Sequence, residues 1–382
     1  MKNGVYMSGR DIFELEQIEK FISGKISRAD AALLLKKTER TIARKARKVE
    51  REGLKGIKHG NTGRRPINKK SDLVKASVCR TIKRDLFDYN MTHMMETLKA
   101  NSGITVAYTT LRRWCHELNI VKRRYKSKKP NTRKKRHRMA NEGFLLQMDG
   151  SPHFFVPGKQ WVLIAAIDDA TNNIAAAEFF ESETTLNCMA ILNQIITTKG
   201  IPWGIYVDRA GWLGGGKRQQ FGEFKRACEE LGIELIFANS PQGKGRIERW
   251  FQVPQDRLVA ELRTRQITDI ENANTYLKNI FIKEYWNVEK TVAPREAEVK
   301  YRKLDPALNL REIFSMRDYR KVNYDNTFRW KNKTFQILNP PGTIANHEIE
   351  LRFYQDGESS VWFADRKLDV QIFLEDIKRK SS

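Results

Sequence analysis

Two aspartates in the middle of the chain lie where a β-sheet would present them for chemistry. Asp149 follows an apolar run in the segment LLQMDGS, and Asp208 ends the apolar run of IYVDRAG just before a glycine-rich turn. We expect each acid at the end of a strand, because an unpaired carboxylate is costly to bury. A divalent cation would remove that cost. Two such ions, about 3.5 to 4 Å apart, can assist an in-line phosphoryl transfer.

A glutamate lies at the junction of a loop and a helix. Glu248 belongs to SPQGKGRIER, residues 240–249, in which a glycine-rich half runs into a predicted helix of residues 246–265. Taken alone, Glu248 is a surface ion-pair partner for Arg246 and Arg249. Together with Asp149 and Asp208 it supplies a third carboxylate, and such hard oxygen ligands favour Mg²⁺ or Mn²⁺.

The elements that must position these acids alternate along the chain. Residues 143–265 contain three hairpin-like strand patterns, and then helix, strand, helix, strand and helix in turn. This order predicts an α/β layer structure around one mixed sheet. Residues 267–304 have a helical pattern. From about residue 319, short strand patterns alternate with turns after Asp325, Lys331 and Asp356, which predicts a small β-barrel.

The positive charge of the chain is confined to its N-terminal third. The net charge is +24. Residues 1–140 hold 37 Lys and Arg against 13 Asp and Glu, whereas residues 141–382 hold 33 of each kind. A polyanion is the natural partner, because each phosphate that is neutralised releases counterions. Charge alone does not separate DNA from RNA or from an acidic membrane surface.

Several other classes of protein are disfavoured. The four cysteines form no CxxC pair and have no metal-ligand spacing to histidine, which argues against a zinc site or a disulfide framework. No apolar run approaches the roughly 18 residues of a membrane span. The N-terminus lacks the apolar region of a signal peptide. We therefore expect a soluble, cytoplasmic protein without a membrane partner.

Helical patterns in the basic third are typical of two helix-turn-helix domains, residues 1–62 and 71–120. In the first, two apolar-faced helices are separated by a break near Lys37 and Thr38. The later helix of each domain would offer its cations to a groove of DNA. The alternative for the first domain is a basic amphipathic helix that only caps a bundle. The predicted DNA contacts on these helices are Arg40, Arg44, Lys45, Arg47, Arg112 and Arg113.

A basic linker follows each helical domain. The first, residues 63–70, carries Arg64 and Arg65, and short basic segments of this kind can lie in a minor groove. The second, residues 121–140, has eleven Lys and Arg between residues 121 and 138 and no acid there, so we expect it to become ordered on phosphates. Its first cations, Lys122, Arg123 and Arg124, are predicted DNA contacts.

The segments QMDGSPH, YVDRAG and SPQGKGRIER resemble those of transposases of the retroviral-integrase superfamily, which carry a DDE catalytic core. Within that superfamily the chain resembles bacterial insertion-sequence transposases with tandem helix-turn-helix domains. Retroviral integrases have a similar Pro-Gln-x-x-Gly-x-x-Glu segment, which corresponds here to Pro241, Gln242, Gly245 and Glu248. The chain departs from the retroviral branch because it lacks a His/Cys zinc module and has Gln252 where those integrases place a lysine.

The resemblance implies a fold and an activity. The fold would be an RNase H-like mixed-sheet core of residues 141–265, a helical connector of residues 266–312 and a small β-barrel-like domain of residues 313–382. The activity would be Mg²⁺-dependent DNA cleavage followed by strand transfer, with a freed 3′-hydroxyl as the second nucleophile. The enzyme would act on double-stranded DNA as a homo-oligomer, a dimer or higher, and would be associated with the nucleoid of a prokaryote when it is bound.

The resemblance also assigns roles to residues. Asp149, Asp208 and Glu248 would be catalytic and would hold two Mg²⁺ or Mn²⁺ ions per active site. Lys244 and Arg249 would contact DNA. His153, Ser240 and Gln242 would support the acids or contact the substrate.

Two other functions share parts of this pattern. One is a DNA-binding regulator derived from an inactive transposase, and the other is an RNase H-like nuclease without strand transfer. The adjacent acids Asp168 and Asp169 are predicted to lie in a turn after a strand, although a supporting role for Asp169 beside the site is left open.

Overall fold

The structure, a computed structural model, describes residues 7–59, 61–62, 67–120, 137–208, 217–238 and 245–372. The chain divides into two compact units, residues 1–76 and 77–382. Among the described residues, no helix has the length and the apolar character that a membrane crossing requires.

The first unit is built from three helices, α1 (Gly9–Ile22), α2 (Arg28–Leu35) and α3 (Glu39–Glu52), with a short 3₁₀ helix over Gly53–Ile57. Ser8, Ser27 and Thr38 cap the three helices by accepting backbone N–H groups of their first turns. Such caps satisfy donors that have no partner within the helix. The shared core consists of Leu15, Ile18, Ala31, Ala32, Ile42, Ala46, Val49 and Ile57.

Three further helices precede the sheet: α4 (Asp72–Arg84), α5 (Met91–Ser102) and α6 (Tyr108–Glu117). Asn90 caps the start of α5, and Gly103 ends that helix with a left-handed backbone at φ 64°. Val78, Ile82, Leu98, Leu111 and Trp114 are buried on the inner faces of these helices. Short-range signals in the sequence therefore set where these helices start and stop.

The centre of the second unit is one mixed five-stranded sheet, as the alternating pattern predicts. Its strand order is β3-β2-β1-β4-β5. β2 runs antiparallel to both β1 and β3, whereas β4 is parallel to both β1 and β5. The strands are β1 (Leu145–Val156), β2 (Lys159–Asp168), β3 (Ile174–Phe180), β4 (Gly204–Asp208) and β5 (Glu234–Ala238).

Helices cover both faces of this sheet. One buried cluster joins residues of β1, β2, β4 and helices α7 (Thr185–Thr198) and α8 (Lys217–Glu230). The other cluster joins β1, β2 and β3 to α9 (Gly245–Thr264), α10 (Ile270–Tyr276) and a π-helix over Leu277–Trp286. The core of the domain is thus a three-layer α/β structure.

Asp149 lies inside β1 and not at the end of a strand, so that expectation is wrong. The pairing of β1 with β4 ends at Gln147 and Tyr206. Pairing with β2 continues through Asp149 as far as His153 opposite Trp161. The strand continues past its expected end because antiparallel pairing with β2 still satisfies its backbone groups on one side.

The connector is helical only in its first part. After the π-helix, α11 covers Asn287–Glu289, and the next helix is the short α12 (Leu310–Ile313). The expectation of a helix over residues 267–304 is wrong for the second part of this range, residues 293–304. Arg302 instead forms an isolated bridge with Ile201, with both backbone hydrogen bonds at 2.8 Å. Its guanidinium donates to the carbonyls of Pro202, Leu231 and Gly232, and these tertiary contacts prevail over the local helical pattern.

The C-terminal part has a core of its own between two antiparallel sheets, ordered β11-β10-β9-β6 and β12-β8-β7. Backbones with positive φ occur at Asn326, Lys331, Asn332 and Gly357, where the sequence predicts turns. The strands are β6 (Met316–Lys321), β7 (Thr327–Trp330), β8 (Lys333–Ile337), β9 (Glu348–Phe353), β10 (Ser359–Phe363), β11 (Arg366–Leu368) and β12 (Val370–Ile372).

We expect Gly143→Ala to destabilise the protein more than Gly158→Ala. Both glycines have positive φ, at 79° and 75°. A Cβ on Gly143 would lie 2.6 Å from Cδ2 of Tyr301 and 2.8 Å from its backbone nitrogen, whereas a Cβ on Gly158 would meet nothing within 4 Å. The melting temperature should fall by roughly 5 °C for Gly143→Ala and by roughly 2 °C for Gly158→Ala. Equal losses in thermal unfolding would contradict the close approach of Tyr301.

Candidate active site

The two aspartates occupy matching positions on neighbouring strands. The parallel register pairs Gln147 of β1 with Tyr206 of β4. Asp149 and Asp208 each lie two residues further along these strands, so the backbone puts them level with each other. Residues at matching positions of adjacent parallel strands lie on the same face of a sheet. The side chain of Asp208 is outside the described part of the structure.

Helix α9 runs along the same face of β1. The backbone N–H of Ile247 donates to Oε1 of Gln147 at 3.3 Å, and Nε2 of Gln255 donates to Oγ of Ser151 at 2.7 Å. Because alternate residues of a strand share a face, Asp149 lies between these two contacts and on their side of the sheet. Its side chain is half-buried.

Glu248 follows Ile247 directly, in the first turn of α9, and its side chain is exposed. Asp149 and Asp208 therefore lie just past the point where the pairing of β1 with β4 ends, and the contact between Ile247 and Gln147 brings the first turn of α9, with Glu248, to the same part of β1. Within the described residues there is no group of three His, Cys, Asp or Glu side chains arranged to hold a metal ion. The side chain of Asp208 does not belong to those residues.

Of the other residues predicted to contribute to the site, the structure describes His153 and Arg249. His153 lies in β1 opposite Trp161, and its ring meets Phe155 edge-on at 5.1 Å between centroids. Partial burial lowers the pKa of His153. Arg249 is exposed in the first turn of α9. Ser240, Gln242 and Lys244 lie outside the described residues.

The predicted DNA contacts on α3 share one surface of that helix. Arg40, Arg44 and Arg47 are exposed, and their i, i+4, i+7 spacing puts them on one side. Lys45 does not join them, which corrects the sequence expectation. Its ammonium is turned inward to the buried carboxylate of Glu14 and donates to the carbonyl of Ile57 at 3.2 Å. Partial burial lowers the pKa of Lys45.

The remaining predicted DNA contacts divide between described and undescribed segments. Arg112 and Arg113 are exposed on α6. The linker residues Arg64, Arg65, Lys122, Arg123 and Arg124 lie outside the described residues.

The sequence analysis missed two polar residues next to Asp149. Gln147 is fully buried and bonds the start of α9. A lone glutamine within an apolar strand is a signal that could have found it, because buried amides require partners. Glu183 lies against Gly150, the residue that follows Asp149 in β1. A Cβ on Gly150 would be 2.8 Å from the carboxyl carbon of Glu183, and no short-range pattern indicates this contact.

The second half of α9 fixes helix α5 and the loop before it to the sheet domain. Arg263 binds the carboxylate of Asp88 at 2.7 and 2.8 Å, and Arg257 binds Glu96 at 2.6 Å. Nε2 of His93 lies 2.8 Å from Oε1 of Glu261. One helix thus carries Glu248 at its start and a set of ion pairs with the preceding helices in its second half.

Most of these charged groups are withdrawn from solvent. The side chains of His93, Arg257 and Glu261 are 2%, 9% and 11% exposed. Burial alone would raise the pKa of the Glu261 carboxyl, but the hydrogen bond from His93 and the charges of His93 and Arg257 outweigh it and lower that pKa. Arg257 and Glu261 therefore form a largely buried ion pair, and His93 is hydrogen-bonded to the same carboxylate.

Two curated relatives are similar to the chain over much of its length. A putative transposase, y4bF, of Sinorhizobium fredii is 28% identical over 97% of this chain and 83% of its own length. The transposase for insertion sequence IS1202 of Streptococcus pneumoniae is 29% identical over 68% of this chain and 64% of its own length. No protein-family profile matches the chain.

Solved structures of viral integrases are also similar to the chain. The integrase catalytic core domain of HTLV-2, in complex with magnesium, is 16% identical and covers 36% of this chain and 85% of its own, with a TM-score of 0.29. An intasome chain of simian T-cell lymphotropic virus is 15% identical and covers 78% of this chain and 95% of its own, with a TM-score of 0.35. Scores this low carry no functional argument.

The sequence relatives and the motifs around Asp149, Asp208 and Glu248 define the class of the protein. Both sequence relatives are named as transposases, and the prediction from the motifs that the chain is a transposase is confirmed. Its function is accordingly that of a DNA transposase, and its chemistry is nucleotidyl transfer.

We expect Arg257→Met to loosen the attachment of the preceding helices. The change leaves the carboxylates of Glu261 and Glu96 without this cation, and breaking a buried pair is costly. The melting temperature should fall by roughly 5 °C. The matched control is Lys225→Met, which removes an i,i+4 pair with Glu229 whose side chains are 53% and 63% exposed. It should shift the melting temperature by about 1 °C or less. Similar shifts for both variants would refute the buried network.

Proposed function

We propose that the protein binds the ends of a mobile DNA element, cleaves them in a metal-dependent reaction and joins the freed 3′ ends to target DNA. The observation that supports this proposal is the parallel register of Gln147 in β1 with Tyr206 in β4, together with the hydrogen bond from Ile247 at the start of α9 to Gln147. Similarity to transposases alone does not identify the three acids or this reaction.

The architecture supports an RNase H-like core over residues 141–265. Three antiparallel strands are followed by two parallel strands on the other side of β1, with helices on both faces. We also infer that residues 1–62 and 71–120 are helix-turn-helix domains. The C-terminal region, residues 313–382, is proposed to be a small barrel made from its two antiparallel sheets.

The chemistry of the three acids suits Mg²⁺ or Mn²⁺. All three offer carboxylate oxygens, which hard divalent cations prefer, and in the proposed site they belong to separate elements that converge. Asp149, Asp208 and Glu248 would together hold two such ions in each active site. When bound, such ions lower the pKa of an attacking water and stabilise the charge on the leaving oxygen.

The proposed reaction has two steps at phosphorus. In the first, a water oxygen attacks a phosphodiester at the element end, the bond from phosphorus to the 3′ oxygen breaks, and that oxygen leaves as a 3′-hydroxyl. In the second, the 3′ oxygen attacks a phosphodiester of the target. A new bond from phosphorus to the 3′ oxygen forms as the target's own bond to its 3′ oxygen breaks, so no covalent intermediate forms with the enzyme.

Residues beside the acids are proposed to hold the DNA. Arg249 is exposed next to Glu248 and can reach a phosphate near the site. Ser240, Gln242 and Lys244, in the loop before α9, are proposed to contact the scissile strand. His153 shares the face of β1 with Asp149 and is proposed to support that acid or to contact DNA.

The basic N-terminal third is proposed to select and hold double-stranded DNA. Arg40, Arg44 and Arg47 form one exposed row on α3, and Arg112 and Arg113 are exposed on α6. The linkers, with Arg64, Arg65, Lys122, Arg123 and Arg124, would add contacts to phosphates. Because two element ends must be joined in one event, we propose a homo-oligomer on DNA, acting in the cytoplasm on the nucleoid.

Incubation of the protein with Mg²⁺ and end-labelled element-end DNA tests this function. Strand-transfer products, in which the labelled end is joined to target DNA, are expected. Cleavage without joining would indicate a nuclease. Binding without cleavage would indicate a regulator that has lost its activity.

We expect Glu248→Gln to abolish cleavage and to leave binding of element ends intact. Partners one step removed from a metal contribute roughly 10- to 100-fold, so loss of a direct ligand should cost more than this. The matched control is Glu271→Gln, which makes the same change at another exposed acid in the first turn of a helix. Parallel losses of binding and cleavage in Glu248→Gln, measured by gel shift and product yield, would exclude the catalytic role.

A further inference from the structure

A buried carboxylate lies immediately behind the candidate active site. Asp169 follows β2 and is fully buried. Its Oδ1 accepts hydrogen bonds from Nε2 of Gln147 at 2.6 Å and from the guanidinium of Arg246 at 2.5 Å. Its Oδ2 accepts the backbone N–H of Met139 at 2.9 Å. Asp169 is therefore held by side chains and not only by its own turn.

Each partner of Asp169 belongs to a different functional segment. Gln147 lies two residues before Asp149 on the same face of β1. Arg246 lies two residues before Glu248 at the start of α9. Met139 directly follows the basic segment of residues 121–138. One carboxylate thus connects the strand of one proposed metal ligand, the helix of another and the end of the basic linker.

The contacts around Asp169 close into a ring. Gln147 donates to Asp169 through its amide nitrogen and accepts the N–H of Ile247 through its amide oxygen. Arg246 returns from α9 to the same carboxylate. Two adjacent residues of α9 are therefore attached, one by its backbone and one by its side chain. Two attachments fix the rotation of the helix as well as its position.

The first turn of α9 needs such support. Its backbone N–H groups have no acceptors within the helix, so a partner from outside must supply them. The amide oxygen of Gln147 is such an acceptor for the N–H of Ile247. The Arg246 side chain is 15% exposed and that of Asp169 is fully buried, so this ion pair is protected from solvent. Replacing either residue by an uncharged one would therefore be costly.

The adjacent acid shows what a purely local role looks like. Asp168 is also fully buried, but its carboxylate accepts from Ala170, Thr171 and the N–H of Gly143. Burial raises the pKa of Asp168, and the hydrogen bonds from Gly143 and Thr171 offset this only in part. Asp168 thus serves the turn and the entry to β1, whereas Asp169 reaches α9.

The end of the basic segment is anchored at the same turn. The guanidinium of Arg138 donates to Oδ1 of Asn172 at 2.8 Å and to the carbonyl of Asp169 at 3.3 Å. Together with the bond from Met139 to the Asp169 carboxylate, this fixes where the segment enters the sheet domain. Asp169 therefore contacts the residue that directly follows the basic segment, as well as α9.

We propose that Asp169 is a positioning residue of the transposase active site, which through Gln147 and Arg246 keeps Glu248 in register with Asp149. The inference rests on the proposed function because it assumes that these two acids act together. Asp169 does not touch the reacting atoms. Its effect is carried by the first turn of α9.

The test is Asp169→Asn, which keeps the size of the side chain but removes its charge and one acceptor. Arg246 and the N–H of Met139 then compete for one remaining oxygen. We expect cleavage of element-end DNA to fall roughly 10- to 100-fold with DNA binding unchanged. The Mn²⁺ concentration that half-saturates the protein, followed by electron paramagnetic resonance of free Mn²⁺, should rise about tenfold.

Hydrogen exchange separates a positioning role from general loosening. Asp169→Asn should accelerate exchange in a peptide covering residues 245–252 and leave the peptides of β2 and β3 unchanged. Glu248→Gln should leave exchange in residues 245–252 as in the wild type. Arg246→Met should reproduce the effect of Asp169→Asn, and the double variant should add little to either, because both remove the same link.

The matched control is Glu223→Gln, which neutralises another carboxylate, on α8, that is 13% exposed and binds Arg226 at 3.0 Å. It should leave the Mn²⁺ affinity and the exchange of residues 245–252 unchanged. Wild-type cleavage, Mn²⁺ affinity and exchange in Asp169→Asn would overturn the proposal, and so would accelerated exchange throughout the sheet. A wild-type protein that cleaves no DNA would overturn the proposed function instead, while exchange would still decide whether Asp169 holds α9.

Discussion

Strand β1 is paired along both edges, against β2 on one side and with β4 on the other. This double pairing determines where the other elements of the core can lie. Leu146 and Met148 face the cluster with α7 and α8, while Gln147 and Ser151 face α9. Asp149 lies just past the last residue paired with β4 and is still paired with β2. Its backbone is therefore rigid although its side chain is only half-buried.

The second requirement is that α9 be held at both ends. Its start is bonded to Gln147 and Asp169, and its second half is bonded to Asp88, Glu96 and His93. Neither set of contacts is apolar. Charged and amide groups have directional partners, so they specify one position of a helix, whereas an apolar face tolerates sliding.

Much of the local structure could be predicted from the sequence, because short-range chemistry controls it. Ser27 and Thr38 cap the helices that they precede, and the turns at Asn326 and Gly357 adopt positive φ. The mixed sheet was predictable from the order of its patterns. The expectation that residues 293–304 are helical was wrong because Arg302 binds carbonyls of other segments, and no local pattern reveals those contacts.

The candidate site shows the same division. Acid types and motif spacing suffice to select Asp149, Asp208 and Glu248. The contacts that hold them required the fold, since Gln147 and Asp169 are 22 residues apart and Arg246 is 77 residues beyond Asp169. Lys45 illustrates the converse error. Lys45 is a cation on the helix that was predicted to contact DNA. Its position on α3, however, turns its side chain towards Glu14.

The ion pairs on the second half of α9 have an evolutionary consequence. A domain that reads DNA could in principle be exchanged between enzymes, giving a new target to an unchanged catalyst. Here the helices of residues 77–117 present Asp88, His93 and Glu96 to three charged residues of α9, Arg263, Glu261 and Arg257. A replacement domain without matching charges would leave buried ions unpaired. Exchange of these helices for those of another protein would therefore have to preserve their charged contacts with α9.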